Sequence, residues 1–315
     1  MERKNIIFLT VGIIAVLAAA SCAVAISSRM KLTDTEVPVD TADGAEAYVE
    51  LDAANIAFEV EDFSEESGFS FDELQEEIQE IVSDTQKAVG GEWSVYVTIP
   101  KTGDTMSINQ RPMQAASVIK IFVMGAVYEE YDEIKEYYQY DDIDGLLESM
   151  ITISDNDATD LLVTMLGRGD AAAGREAVTE FCREYGFANT TMDRMMGDDN
   201  IYSDNYTTTE DCAAFLLMLY NGEFDHSKEM LDLLRGQTRV NKIPEGVPNS
   251  VMVLNKTGEL DDVQNDVAIV FAKTPYIICV ISDGVEDYQP PIDAIVDISK
   301  TTYEYISDNI YSLER

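Results

Sequence analysis

The apolar residues of this chain change period twice along its length, and that change limits the folds open to it. Trp93 to Ile99 reads as a strand, Pro100 to Asp104 as a turn and Thr105 to Asn109 as the returning strand. The next apolar runs have helical spacing: Ser117 to about Tyr131, Gly145 to Thr152, Asp157 to Leu166, Ala171 to Tyr185, Thr207 to Tyr220 and Lys228 to Leu234. Asn189 to Tyr206, polar and turn-rich, reads as irregular, and residues 235–250 read as a loop with Pro244, Gly246 and Pro248. Strand-like runs return at Val251–Leu254, Asp266–Lys273 and Tyr276–Ser282. A helix opens the block at Ser70-Phe-Asp-Glu73, a capping-box pattern, and Gly90-Gly91 stops it; another closes the block from about Pro291 to Leu313. Strands near both ends and helices alone in the middle predict an α/β (α+β) architecture. Helices pack on an antiparallel sheet, and a helical lobe of about residues 114–235 is inserted in the chain.

The folded unit thus spans residues 70–315. Before it, Ile6 to Ile26 is an uncharged apolar run behind Arg3 and Lys4. At ~1.5 Å per residue it reaches roughly 31 Å, the depth of a bilayer core. Residues 1–30 therefore read as a single-pass membrane anchor or export segment, with the anchor preferred. Ala19-Ala-Ser-Cys22 resembles a lipoprotein cleavage site only faintly, because the residues after Cys22 stay apolar. Residues 31–69 are acidic, small and polar without sustained periodicity, which predicts a solvated linker. The anchor would put the domain outside the cytoplasm at the cell membrane.

The formal net charge is −39, which argues against nucleic acid as a partner. Residues 31–90 alone carry eighteen acidic residues against Lys31 and Lys87. The four cysteines, at 22, 182, 212 and 279, form no Cys-x-x-Cys pair, so neither a zinc site nor a redox motif is expected. Cys182, Cys212 and Cys279 lie in apolar contexts as small buried groups, with a Cys182–Cys212 bridge as the alternative for an exported domain. The single histidine, His226, sits in a polar loop-like stretch, which removes a Ser-His-Asp triad. No metal or cofactor is expected, and the domain reads as a monomer.

Chemistry concentrates at Gln114-Ala-Ala-Ser117-Val-Ile-Lys120, followed at once by an apolar run. Positions i and i+3 of a helix share a face, so the Lys120 amine is within reach of the Ser117 hydroxyl. A serine is a weak nucleophile until a base takes its proton, and a lysine of depressed pKa can be that base. Two further triplets supply what an acyl-transfer site needs. Ser154-Asp-Asn156, at a helix junction, offers a hydroxyl for proton relay and an amide for a substrate amide. Lys256-Thr-Gly258, on a strand, offers a cation and a hydroxyl for a carboxylate, with Gly258 admitting a ligand backbone. The N–H groups of Ser117 and Glu259 would form the oxyanion hole. Copies occur elsewhere: Ser28-Arg-Met-Lys31, Lys101-Thr-Gly103, Ser203-Asp-Asn205 and Ser307-Asp-Asn309. Only Ser154 and Lys256 combine the ends of apolar elements with the order Ser-x-x-Lys, Ser-Asp-Asn, Lys-Thr-Gly.

That ordered trio resembles the penicillin-recognising serine enzymes, and more closely the class A β-lactamases. The likeness runs over residues 70–315 and includes Met150-Ile-Thr-Ile-Ser-Asp-Asn-Asp-Ala-Thr-Asp160, Asn255-Lys-Thr-Gly258 and Asn265-Asp-Val-Ala-Ile-Val270. It implies a five-stranded antiparallel sheet between helices and an all-helical lobe. It also implies an acyl-enzyme on Ser117, with Lys120 as base and Ser154 as proton shuttle. Asn156 would contact the substrate amide, and Lys256 and Thr257 would hold its carboxylate.

The departures bear on turnover. Class A enzymes carry Arg-x-Glu-x-x-Leu-Asn in the irregular loop, whose glutamate activates the deacylating water. Here the stretch is Arg194-Met195-Met196-Gly197-Asp198-Asp199-Asn200, and Met196 cannot be a base. Asp160 stands where the family usually has the asparagine that steadies that glutamate. The segment from Lys120 to Ser154 is also short for the family, which trims one cleft wall. Three readings result: a hydrolase that acylates with β-lactams or D-Ala-D-Ala-type cell-wall peptides and deacylates slowly; a true β-lactamase with Asp198 or Asp199 as relocated base; or a non-catalytic peptidoglycan-binding module. The intact Lys120 argues against the last.

Overall fold

The computed structural model describes residues 35–40, 46–51, 69–198 and 203–309. The apolar run Ile6–Ile26, Cys22, Asp199 and the end of the last helix at Leu313 lie outside the described residues. No helix among those described is long and apolar enough to cross a membrane.

The chain divides into two units, residues 1–66 and 67–315. In the first, β1 (Thr35–Asp40) and β2 (Glu46–Leu51) pair antiparallel, Thr35 opposite Leu51. A structureless linker was expected there. The β-branched Val37 and Val39, with Asp43-Gly44 between the strands, carry a hairpin signal that acidic composition obscured.

The second unit opens with α1 (Asp72–Val89), which buries Leu74, Ile78 and Val82. Ser70 Oγ accepts the Asp72 N–H at 3.1 Å, but Phe71 stands at the N-cap and the expected capping box with Glu73 is not made. Gly90 and Gly91 both have positive φ, and a Cβ on Gly91 would lie 2.6 Å from Val285 Cγ1. They do not merely stop α1 but turn the chain into β3 (Gly90–Thr98). β4 is Thr105–Ile108, β8 Met252–Leu260, β9 Val263–Phe271 and β10 Tyr276–Val285. These form one antiparallel sheet in the order β4-β3-β10-β9-β8.

Period-2 alternation divides the sheet between two cores. Trp93, Val95, Ile278 and Val280 pack with α1 and with α9 (Gln289–Asp308). Ile277, Cys279 and Ile281 face the helical block, α2 (Ile119–Glu129) to α8 (Ser227–Arg235). Between these lie α3 (Tyr131–Tyr137), α4 (Ile143–Thr152), α5 (Asn156–Leu166), α6 (Ala171–Glu184) and α7 (Thr209–Tyr220). Every residue of α2 from Ile119 to Tyr128 is buried. It is the axis of the block, and its uniform hydrophobicity reflects contact on all sides.

The stretch read as irregular contributes to a small second sheet, order β5-β7-β6: β5 (Met113–Gln114), β6 (Thr191–Met192) and β7 (Asn205–Thr207). Strands of two or three residues are too short to show an alternation. Cys182, Cys212 and Cys279 are free and buried, so the bridge weighed between Cys182 and Cys212 is not formed. Burial pushes the Cys212 thiol up to about 12. His226, expected in a surface loop, lies in the turn before α8, partly exposed, and its ring stacks on Tyr128 with centroids 5.0 Å apart.

Candidate active site

Ser117 lies in a single 3-10 turn, Ala116–Val118, that leads into α2. Ala116, just before it, has φ +45°, a left-handed conformation that costs a non-glycine residue about 1–3 kcal/mol and tends to persist only where surrounding structure imposes it. Here the surroundings are explicit. Asn265 of β9 donates its Nδ2 to Gln114 O at 2.9 Å and Ala115 O at 3.1 Å. The Ala115 N–H donates to Asn205 O at 2.8 Å. Edge strand β8 closes on the same turn: a Cβ on Gly258 would stand 2.8 Å from Ala115 O and 3.1 Å from Val118 N. Gly258 was expected to make room for a ligand backbone. Its missing Cβ also makes room for the protein's own turn at Ser117.

Lys120, the second residue of α2, is wholly buried. Its amine donates to Ser154 O at 2.7 Å, Ser154 Oγ at 3.2 Å and Asn156 Oδ1 at 2.7 Å. Those bonds use the three donors of an ammonium. Among the described residues no hydrogen bond joins Lys120 to Ser117, so the pairing expected from their spacing is not made in this state. Burial, and secondarily the Arg239 charge, pull the Lys120 pKa down to about 7. A neutral amine has only two donors and gains a lone pair, which it can turn to a proton on Ser117.

Ser154 stands between α4 and α5 with φ +63°. Asp155 caps α5 by accepting the Ala158 N–H at 2.8 Å, and Asn156 opens the helix. Asp155 is thus fixed by the helix it caps, while the Ser154 and Asn156 side chains are held by lysine amines. Asn156 is exposed, and its Oδ1 is taken by Lys120, which leaves its NH2 group as the donor for a substrate carbonyl. From β8, Lys256 reaches Ser154 Oγ at 2.9 Å and Thr257 O at 2.8 Å. Burial first, then the Lys120 and Arg239 charges, hold the Lys256 amine well below its ordinary value. Thr257 Oγ1 is buried and has no hydrogen-bond partner among the described residues. Glu259 is the next residue along the strand after Gly258.

The structure therefore gathers Lys120, Ser154, Asn156 and Lys256 around one hydroxyl, with the Ser117 turn packed against Gly258. Of the copies, Ser28-Arg-Met-Lys31 lies outside the described residues, and no hydrogen bond among the described residues joins the others to Ser154, Lys120 or Lys256. Lys101 is exposed in the β3–β4 turn, and Ser307 lies within α9. The second Ser-Asp-Asn braces a loop. Asn205 Oδ1 accepts the N–H groups of Asp193 and Arg194 at 2.9 and 3.0 Å, and Asp204 Oδ1 lies 2.9 Å from Arg194 Nε. Asp160 pins the same loop. Its two oxygens accept the Met196 and Gly197 N–H groups at 2.7 and 3.1 Å.

Three charged residues of this region carried no readable signal. Lys242, wholly buried, comes from the loop before β8 and ion-pairs with Glu259 at 3.0 Å. Arg239, from the same loop, lies 3.2 Å from Glu259. Asp266 of β9 is fully buried and accepts from Asn255 Nδ2 at 2.9 Å and the Ile243 N–H at 3.0 Å. Burial raises it to about 6 against the pull of Lys242. The one clue was scarcity: with only 21 cationic residues in the chain, two within an irregular loop stand out. Among the described residues no group of His, Cys, Asp and Glu is arranged to hold a metal.

The model of the beta-lactamase enzyme family matches residues 73–144 and 142–306. Solved structures of the same fold include PBP-A, 21% identical with TM-score 0.67 over 76% of this chain and 98% of its own. A PBP-A mutant solved as its acyl-enzyme complex with penicillin G is 21% identical, with TM-score 0.66 over 76% and 98%. A beta-lactamase from Sphaerobacter thermophilus is 24% identical, with TM-score 0.63 over 73% and 97%. No curated protein matches the chain.

Proposed function

The chain belongs to the beta-lactamase enzyme family, and from that premise we propose that it is a serine acyl-transfer hydrolase working through Ser117. The supporting observation is the Ser154 hydroxyl shared by the buried amines of Lys120 and Lys256. An arrangement that places two lysines on one serine oxygen, at the cost of burying both, has a use in moving protons. Neutral Lys120 takes the proton of Ser117 Oγ as that oxygen bonds to the substrate carbonyl carbon. The N–H groups of Ser117 and Glu259 receive the charge that develops on the carbonyl oxygen. As the carbon–nitrogen bond breaks, Ser154 Oγ gives its proton to the leaving nitrogen and is resupplied from the lysine amines. Asn156 holds the substrate amide, and Lys256 with Thr257 faces its carboxylate.

The substrates are β-lactams or D-Ala-D-Ala-type cell-wall peptides, and deacylation is slow. Met196 lacks a proton-accepting group, and the Asp160 carboxylate is committed to two loop N–H groups. Residues 6–26 would anchor the enzyme in the cell membrane with this domain outside. Incubating the full chain with penicillin G and following intact mass tests the reading. A long-lived adduct that disappears in Ser117→Ala is the expected result. Rapid turnover without an adduct would indicate a relocated base, and no reaction at all would overturn the proposal.

A further inference from the structure

Glu259 is placed where its charge bears on substrate choice. It follows Gly258 on the edge strand, beside the Ser117 turn, and its side chain is 19% exposed. Three donors hold the carboxylate. Lys242 Nζ lies 3.0 Å from Oε1, while Arg239 Nη1 and Tyr288 OH each lie 3.2 Å from Oε2. Burial would push this carboxyl up, but Lys242 and Arg239 outweigh it and hold it below its ordinary range.

The two cations are not equivalent. Lys242 is wholly buried and has a second acceptor in Asn265 O at 3.2 Å. Arg239 is 43% exposed, and Glu259 is its one ion-pair partner among the described residues. Its backbone is tied to the site, because Asn255 Nδ2, next to Lys256, donates to Arg239 O at 3.2 Å. An exposed guanidinium beside the site amines is a landing place for an anion. The chain fills that place with a carboxylate of its own.

Resting on the Ser117 reading above, we propose that Glu259 is a specificity-determining residue. Its carboxylate competes with the carboxylate of an anionic acyl donor for Arg239, and so biases the site toward donors in which that group is masked as an ester or amide. The test uses the full chain, penicillin G and the methyl ester of penicillin G, with the rate of Ser117 adduct formation read by intact mass. The measured quantity is the ratio of the acid rate to the ester rate. Glu259→Gln is expected to raise that ratio by about tenfold, the scale of one charge removed beside a half-exposed cation.

Arg239→Gln is expected to lower the ratio, because Glu259 then meets the substrate with Lys242 alone to offset its charge. Glu259→Gln deprives buried Lys242 of its anion. Should that variant not fold, Arg239→Gln, on an exposed side chain, carries the test alone. Adducts that form with an unchanged ratio overturn this proposal and leave the Ser117 reading standing. Absence of any adduct with either compound overturns both.

Discussion

Lys256 Nζ lies 2.9 Å from Ser154 Oγ although 102 positions separate them in the chain. One residue sits on an edge strand and the other in a left-handed linkage between two helices. The contact therefore requires the sheet and the helical block to be docked correctly. Ser154→Ala removes the oxygen that both amines address. Acylation is expected to slow roughly 10²–10⁴-fold, the range of a lost proton-transfer group. The variant should still form the adduct on Ser117, which intact mass at long times checks.

Gly258→Ala tests the seating of the nucleophile turn. The new methyl would meet Ala115 O at 2.8 Å, a backbone atom that cannot step aside alone. Overpacking of this kind costs about 1–3 kcal/mol. The expected outcome is a folded protein of lowered Tm, with acylation reduced far more than stability, compared by calorimetry and adduct kinetics on one sample.

Deacylation is open to rational change. Met196→Glu places a carboxylate in the loop, but Asp160 already holds that residue's N–H at 2.7 Å. Two carboxylates side by side raise one another's pKa, which keeps the new one protonated and useless as a base. The single variant is expected to shorten the adduct lifetime little. Met196→Glu combined with Asp160→Asn is expected to shorten it markedly, as read by the decay of the penicillin G adduct.

The pH dependence of acylation follows from Lys120. Only the neutral amine accepts the Ser117 proton, so the rate should climb with pH and level off above about 7. A profile flat from about pH 5 to 9 would exclude Lys120 as the base. Stability responds in the same sense. The unfolded lysine keeps its proton up to about 10.5 while the folded one releases it near 7, so Lys120 makes stability rise with pH between those values.

Asp266 acts in the opposite sense. Its folded value of about 6 exceeds the ordinary 3.8, so the folded state holds the extra proton. The contribution is complete below pH 3.8 and is lost as pH rises through 6. Thermal unfolding of wild type and Asp266→Asn across about pH 3 to 7 checks this. The difference between them should vary between about 4 and 6 and be flat outside that window.

Most long elements were legible because burial writes a period into the sequence. The alternation of Trp93, Val95 and Val97 and the apolar run from Ile119 to Tyr128 gave strand and helix within a few residues of their observed ends. The N-terminal hairpin was missed because its acidic composition outweighed a short valine pattern. The small sheet was missed because β5, β6 and β7 are too short to have a pattern.

Residue types and their order along the chain determined which chemistry was available: a serine three positions from a lysine, and two triplets rich in donors. Only the tertiary structure decided the pairings. Lys120 turns to Ser154 and Asn156 instead of Ser117, Gly258 serves the nucleophile turn, and Glu259 neutralises Arg239. Local sequence fixes which face of a helix or strand a side chain occupies. Which partner it meets there depends on how sheet and helices dock, and the Lys120 ammonium spends its three donors on whatever acceptors that docking brings within reach.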